Sequence, residues 1–400
     1  RGLVRWLGHA DEVDEDQLRN ALGAELTREV DATWSARCHA AVDGRGVRRV
    51  VGAMLLPRSG RSCARGATMD DEDSCLELLA AVSPSARNRE LYRLWLRNPE
   101  SYQPTIVESD FGYLTALVIF DLRYSFIRVA VAVDPYAKTT DLGEDAMVAA
   151  IRYLRKVTGG VVRLSVAPID FVSPVKATDS STQNFGGLSI SVCTDAGGWI
   201  NDSIPRLLSD WLVAGHQVSW VNDADELPGG DLCFFLSYGR IVGPGIRNRY
   251  NNCLVVHASD LPKGRGWSPA SWLILEGAKR IPVTLLEAVD QVDAGQIYLQ
   301  YWLELDGTEL IDEWHELLAD ATVSLAREFV AGYPHTLLGA RVQTGEPSSY
   351  PRRRPKDSEV DPSKPLVEIF NHLRIADNDH YPAYFKHLNA EYCLRINRKS

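Results

Sequence analysis

The chain has 400 residues, 45% of them hydrophobic, enough to build two cores and a small appendage. Its net charge of −10 argues against a broad polyphosphate-binding face, and so against tRNA or another nucleic acid as partner. No run of about 18 apolar residues occurs, so no membrane span is expected, and no signal-peptide pattern is visible.

Residues 1–186 read as a first region. Strand-like runs fall at 3–6, 50–56, 113–120 and 126–133, and helical patterns near 15–22, 74–82 and 88–96. The polar, glycine-bearing stretch 57–73 predicts an exposed loop. In IRVAVAVDPYAKTTDLGEDAMVAAIRYLRK, a strand ends at Asp134-Pro135 and an alanine-rich helix starts near Leu142. Such a strand–loop–helix can aim backbone N–H groups at a pyrophosphate. It resembles the acetyl-CoA motif of GCN5-type N-acetyltransferases, V-x-P followed by Arg/Gln-x-x-Gly-x-Gly/Ala. Val133, Asp134 and Pro135 give the first part, Lys138 the basic position and Gly143 the last glycine. Asp141 stands at the first glycine, and Glu144 and Asp145 follow. Carboxylates repel a pyrophosphate but suit a helix N-terminus. The resemblance implies an α+β GCN5-acetyltransferase-like domain, and use of acetyl-CoA stays open. The preferred reading is a degenerate acyltransferase domain; the plain alternative is an α/β domain whose acidic loop caps a helix.

A polar linker is expected at 177–187, and a Rossmann-like order of strands and helices comes after it. Strands are predicted at 188–192, 216–221 and 232–236, with a helix over 199–214. That helix carries Ile204, Leu207, Leu208, Trp211 and Leu212 on one side. Alternating strands and helices predict an α/β unit with a parallel, doubly wound sheet.

The densest chemistry lies in 251–296. A short apolar run, 253–256, delivers His257 to a strand end, where open α/β sheets place ligands. A loop rich in turn formers comes next, then a helix near 270–276, then a strand at 282–287 leading to Asp293 in VDAG. His257 and Asp293 on neighbouring strand ends make a candidate proton-transfer pair. The pattern HASDLPKGRG…PVTLLEAVDQVDAGQ resembles formyltransferases that use 10-formyltetrahydrofolate, a family acting on methionyl-tRNA, glycinamide ribotide or sugar amines. The matches are His257, Ser259, Leu261, Pro262, Gly266, Asp293 and Gly295. The family's Asn two residues before the His is Val255 here.

The resemblance implies a Rossmann-like catalytic domain with His257 and Asp293 at its centre. It also implies a pterin pocket with Ser237, Tyr238, Gly239 and Ile241 on one wall and Val289, Asp290 and Gln291 on the other. Three readings of Val255 stay open: a substitute donor such as Asn251, Asn252, Ser259 or a backbone N–H; reliance on His257 and solvent; or a silent or repurposed site. Lys263 and Arg265 are either solvated loop charges or contacts to an anionic group on the acceptor. No metal spacing is present.

Residues 308–332 predict one amphipathic helix. The run YPRRRPK at 350–356 has the composition of a solvated linker. Taken with residues 357–383, it is also similar to the C-terminal extension of sugar-amine formyltransferases. Arg353, Pro355, Asp357, Asp361, Asn371, Arg374, Tyr381, Pro382 and Ala383 carry that similarity, and 391–396 predicts a short strand. Seven scattered cysteines without CxxC spacing predict reduced thiols in a cytoplasmic protein. The expected organisation is an acetyltransferase-like domain at 1–186, a formyltransferase domain at 187–332 and an extension at 333–400. The expected activity is formyl transfer to a small-molecule amine, an amino sugar first. Formimidoyl transfer, hydrolysis of the formyl donor, a silent binding module and a homodimer are left open.

Overall fold

The structure, a computed structural model, describes residues 62–82, 84–109, 114–123, 125–134, 142–166 and 187–399. Residues 62–108 and 114–400 belong to one compact unit. The expected elements before residue 57, the Lys138 loop and most of the expected linker lie outside the described residues.

The first half begins with β1 (Ser62–Gly66), an ordered strand inside the stretch expected to be loop. Helices α1 (Glu72–Val82) and α2 (Asn88–Arg97) come next, then β2 (Tyr102–Ser109), β3 (Leu114–Asp121) and β4 (Ile127–Val133). Helix α3 (Leu142–Val157) and β5 (Val162–Val166) close it; Gly143 lies in the first turn of α3. Strand β3 shows why this part has two cores. Its residues alternate between faces, so Ala116, Val118 and Phe120 join the core under α3, while Leu117 and Ile119 meet α1 and α2.

The second half runs β6 (Ser189–Cys193), α4 (Ile204–Val213), β7 (Gln217–Val221), β8 (Gly230–Phe235), α5 (Pro244–Arg247) and β9 (Tyr250–His257). It continues with β10 (Arg265–Gly266), α6 (Pro269–Leu275), β11 (Arg280–Glu287), β12 (Ile297–Glu304) and α7 (Ile311–Gly332). The expected helix over 199–214 opens instead as a separate 3-10 turn, Trp199–Asp202. Pro205 explains the break: it lacks an N–H and its ring crowds the carbonyl four residues back, so the helix restarts there. The chain ends with β13 (Ser349–Tyr350), α8 (Leu366–Arg374) and the hairpin β14 (Ala383–His387) and β15 (Ala390–Leu394).

Eleven strands form one sheet in the order β1-β2-β3-β4-β5-β7-β6-β8-β9-β11-β12. The stretch β7-β6-β8-β9 is parallel, as expected for a doubly wound unit. Elsewhere the sheet is mostly antiparallel: β2, β3 and β4 pair that way in the first half. Strand β5 pairs antiparallel with β7, joining the two halves edge to edge through Val162–Trp220 and Leu164–Val218. Strands β11 and β12 are also antiparallel, and Thr284 of β11 lies opposite His257. One hydrophobic core runs through both halves, from Val107 to Ile375, with Phe329 of α7 edge-on to Phe234 of β8. Among the described residues, no helix is long and apolar enough to cross a membrane.

The C-terminal extension has its own small core of Val360, Ile369, Leu373, Ala376 and Ala383. Arg374, one of the residues that suggested this extension, is 2% exposed and ion-paired with Glu309 just before α7. It ties α8 to the chain just before α7.

Candidate functional site

Strand β9 alternates faces: Leu254 enters the main core, and Cys253 packs in a second cluster beside β8. The strand ends on His257, which is 6% exposed. Its Nδ1 lies 3.6 Å from Asp293 Oδ2, and its Nε2 lies 2.8 Å from the Gly264 carbonyl. A carbonyl only accepts, so Nε2 carries a proton. Two acceptors, the Gly264 carbonyl and the Asp293 carboxylate, therefore flank the ring.

Asp293 does not reach His257 from a neighbouring C-terminal strand end. Because β11 runs against β9, the chain must return past the end of β11, and it does so through residues 288–296. Two glycines make the return possible. At Gly295, a Cβ would sit 1.9 Å from the Glu287 carbonyl. Gly266 has φ +103, and a Cβ there would lie 2.4 Å from the Tyr350 carbonyl. Asp293 itself is left-handed, with φ 52, and its Oδ2 accepts from Gly266 N at 2.9 Å. Gln343 Nε2 donates to the carbonyls of Asp293 and Gly295 at 2.8 and 2.9 Å, fixing the loop from the other side.

The pair faces a cavity of about 560 Å³. Ser237, Tyr238, Gly239 and Ile241 line it after β8, and Val289 and Asp290 line it after β11. Tyr238 packs against Phe235 at 6.0 Å, and Gly239 N donates to Asp195 Oδ2 at 3.0 Å. Asp290 is ion-paired with Arg247. The two walls therefore set aromatic and apolar side chains (Tyr238, Ile241, Val289) beside charged ones (Arg247, Asp290), the mix of apolar surface and a few polar groups found in small-molecule sites.

Several expected residues are not brought together. Asn251 and Asn252 sit at the opposite end of β9 from His257, five or six residues away, roughly 16–20 Å at strand rise. Their side chains bond to Asp231 and Glu287. Ser259 is buried beside β11, with Oγ unpartnered among the described residues, and is not in the cavity lining. Lys263 is exposed, Arg265 is turned to Gln343 Oε1 at 2.6 Å, and neither lines the cavity. Gln291 is exposed outside the lining. Val255 lines the cavity where the family's Asn was expected.

Sequence reasoning missed another part of the lining: Trp199, Trp314, His315 and the run Arg352–Arg354. Trp199 and His315 stack at 4.7 Å, 9° between planes, and Trp314 meets His315 edge-on at 4.1 Å. Burial pulls the His315 imidazole down to about 4, against a smaller upward pull from Asp377. The arginines arrive because β13 pairs in parallel with β10, laying the chain after β13 across the site. Trp272 secures that chain, stacking on Tyr350 and donating to the Pro351 carbonyl at 3.0 Å. Their signal was present in the sequence, but a charge run does not show whether it crosses a cavity. Among the described residues, no group of three or more His, Cys, Asp or Glu is placed to hold a metal ion.

Residues 221–328 match the family described as Formyl transferase, so the C-terminal half carries a domain of that family. The methionyl-tRNA formyltransferase of Geobacillus sp. (strain WCH70) is 30% identical over 147 residues, 36% of this chain and 46% of that protein. The chain therefore spans about half the length of the relatives it matches. Among solved structures, methionyl-tRNA formyltransferase from Clostridium thermocellum superposes with TM-score 0.47 and 21% identity, covering 53% of this chain and 94% of that one. A 4-N formyltransferase from Francisella tularensis gives 0.44 and 17%, covering 53% and 98%.

Proposed function

We propose that the C-terminal half moves a formyl group from 10-formyltetrahydrofolate to the amine of a small molecule, an amino sugar first among candidates. The observation that supports this most is the His257–Asp293 pair, held by two close-packed glycine contacts at the edge of a cavity of about 560 Å³. The family's formyl donor is 10-formyltetrahydrofolate. The Ser237–Gly239 and Val289–Asp290 walls would hold its pterin ring.

Transfer forms an N–C bond from the acceptor amine to the formyl carbon and breaks the bond to N10, while one proton passes from amine to N10. His257 supplies the group for that proton, and Asp293 orients the ring and balances its charge. For this, Nε2 must exchange its bond to the Gly264 carbonyl for one to the reacting atoms. A formyl oxyanion needs donors too, and Val255 offers none from its side chain. That single feature supports a second reading, a folate-binding module without turnover.

The protein is mixed with 10-formyltetrahydrofolate and a panel of amino sugars and amino acids, and tetrahydrofolate release and product mass are monitored. A formylated product supports transfer. Release without an added amine selects hydrolysis, and folate binding with neither selects the silent module. Acetyl-CoA in a parallel trial tests whether the first half is a working acetyltransferase or a degenerate one.

A further inference from the structure

We propose that the acceptor carries its own anionic group, a carboxylate or phosphate, and that Arg353 holds it against the aromatic wall of Trp199 and His315. The inference rests on the transfer reading above and names its substrate class.

The guanidinium groups at this cavity fall into two sets. Arg240 and Arg247 are engaged by Asp223 and Asp290. Arg352, Arg353 and Arg354 line the same cavity, and none makes a salt bridge among the described residues. Arg353 is the most enclosed. Its Nη atoms meet only neutral acceptors, the Ile375 carbonyl and Ser358 Oγ, both at 3.5 Å. Its Nε is buried with no partner among the described residues. Burial pulls the Arg353 pKa down and Asp357 offsets part of this from a distance. Burial, and then the Arg353 charge, also hold the His372 imidazole below its ordinary value.

A half-buried guanidinium without a direct ion pair is costly, Asp357 acting only from a distance, and an anion in the cavity lowers that cost. The planar fork matches a carboxylate or phosphate through two parallel hydrogen bonds. The carboxylates of the lining have donors of their own. Asp195 accepts from Gly239 N, Glu287 from Cys253 N, Asp293 from Gly266 N and Asp377 from His380, while Asp290 is paired with Arg247. The Trp199–His315 stack and the apolar side chains of Ile200, Leu318 and Ile375 provide a wall for a ring or short alkyl chain. The segment bearing the arginines is clamped by the β10–β13 pairing and Trp272, so the fork is pre-positioned.

The test has two arms. In the first, inorganic phosphate and acetate are titrated against wild type, Arg353→Met and Arg353→Lys, with thermal midpoint and tryptophan fluorescence as readouts. Arg353→Met is expected to fold, because an apolar chain replacing an unpaired buried charge is neutral or stabilising. The wild-type midpoint should rise with at least one anion, Arg353→Met should not respond, and Arg353→Lys should respond partially. In the second arm, matched amines with and without the anion are compared as acceptors: glucosamine 6-phosphate with glucosamine, and ornithine with putrescine. The anionic member should be favoured about 10–100-fold in kcat/KM, and Arg353→Met should erase that preference. An equal anion response in wild type and Arg353→Met overturns the subsite. Formylation of neutral and anionic amines alike, unchanged by Arg353→Met, overturns it while leaving formyl transfer intact. An Arg353-dependent anion response with no amine formylated has the reverse meaning: the subsite stands and the transfer reading falls.

Discussion

Asp293→Asn separates the charge at the site from its geometry. The amide is isosteric, and its oxygen can take the Oδ2 position, still accepting from Gly266 N. The loop, held also by Gln343, should keep its shape. What disappears is the negative charge 3.6 Å from His257 Nδ1. At that separation and an effective dielectric of about 20, the attraction to an imidazolium is about 4–5 kcal/mol. If the proton is half transferred in the transition state, about half of this counts, roughly 2–3 kcal/mol, or about 30–150-fold in kcat. Tetrahydrofolate release is monitored at saturating donor and acceptor, with donor affinity measured separately by fluorescence titration. A kcat within about threefold of wild type, with unchanged folding, would refute the role given to Asp293.

Three further outcomes are expected from the packing. Gly266→Ala should lose about tenfold or more in activity and about 1–3 kcal/mol in stability, because φ +103 and the Tyr350 carbonyl leave no place for a Cβ; an unchanged denaturation midpoint contradicts this. His315 holds its proton less readily folded (about 4) than unfolded, so the unfolded chain binds more protons between about pH 4 and 6.5. Stability should be complete above about pH 6.5 and fall by roughly 2–3 kcal/mol as pH drops toward 4, a slope that His315→Phe should flatten in urea melts at stepped pH. Because β5 pairs with β7 and one core crosses that junction, calorimetry should show residues 62–166 and 187–399 melting in one transition, and two resolved transitions would contradict the shared core.

Local patterning was sufficient for much of this protein. Strand β9, helix α7 and the ordering of β6 to β9 are set by runs and periods that each need only a few neighbouring residues to be read. His257 and Asp293 stand out in the sequence by their strand-end pattern and by the motif resemblance, and the structure places the two 3.6 Å apart. Non-local pairing lies beyond such patterns, since a strand's own sequence does not say which edge it will join. The β5–β7 junction, the antiparallel β11 and the return loop to Asp293 therefore emerged only on folding. The same reason turned Asn251 and Asn252 away from the site, because one strand separates its two ends by far more than a side chain can reach. It also turned Arg352–Arg354 from a solvated charge run into part of the cavity wall, because the two-residue β10–β13 pairing carries that run across the site.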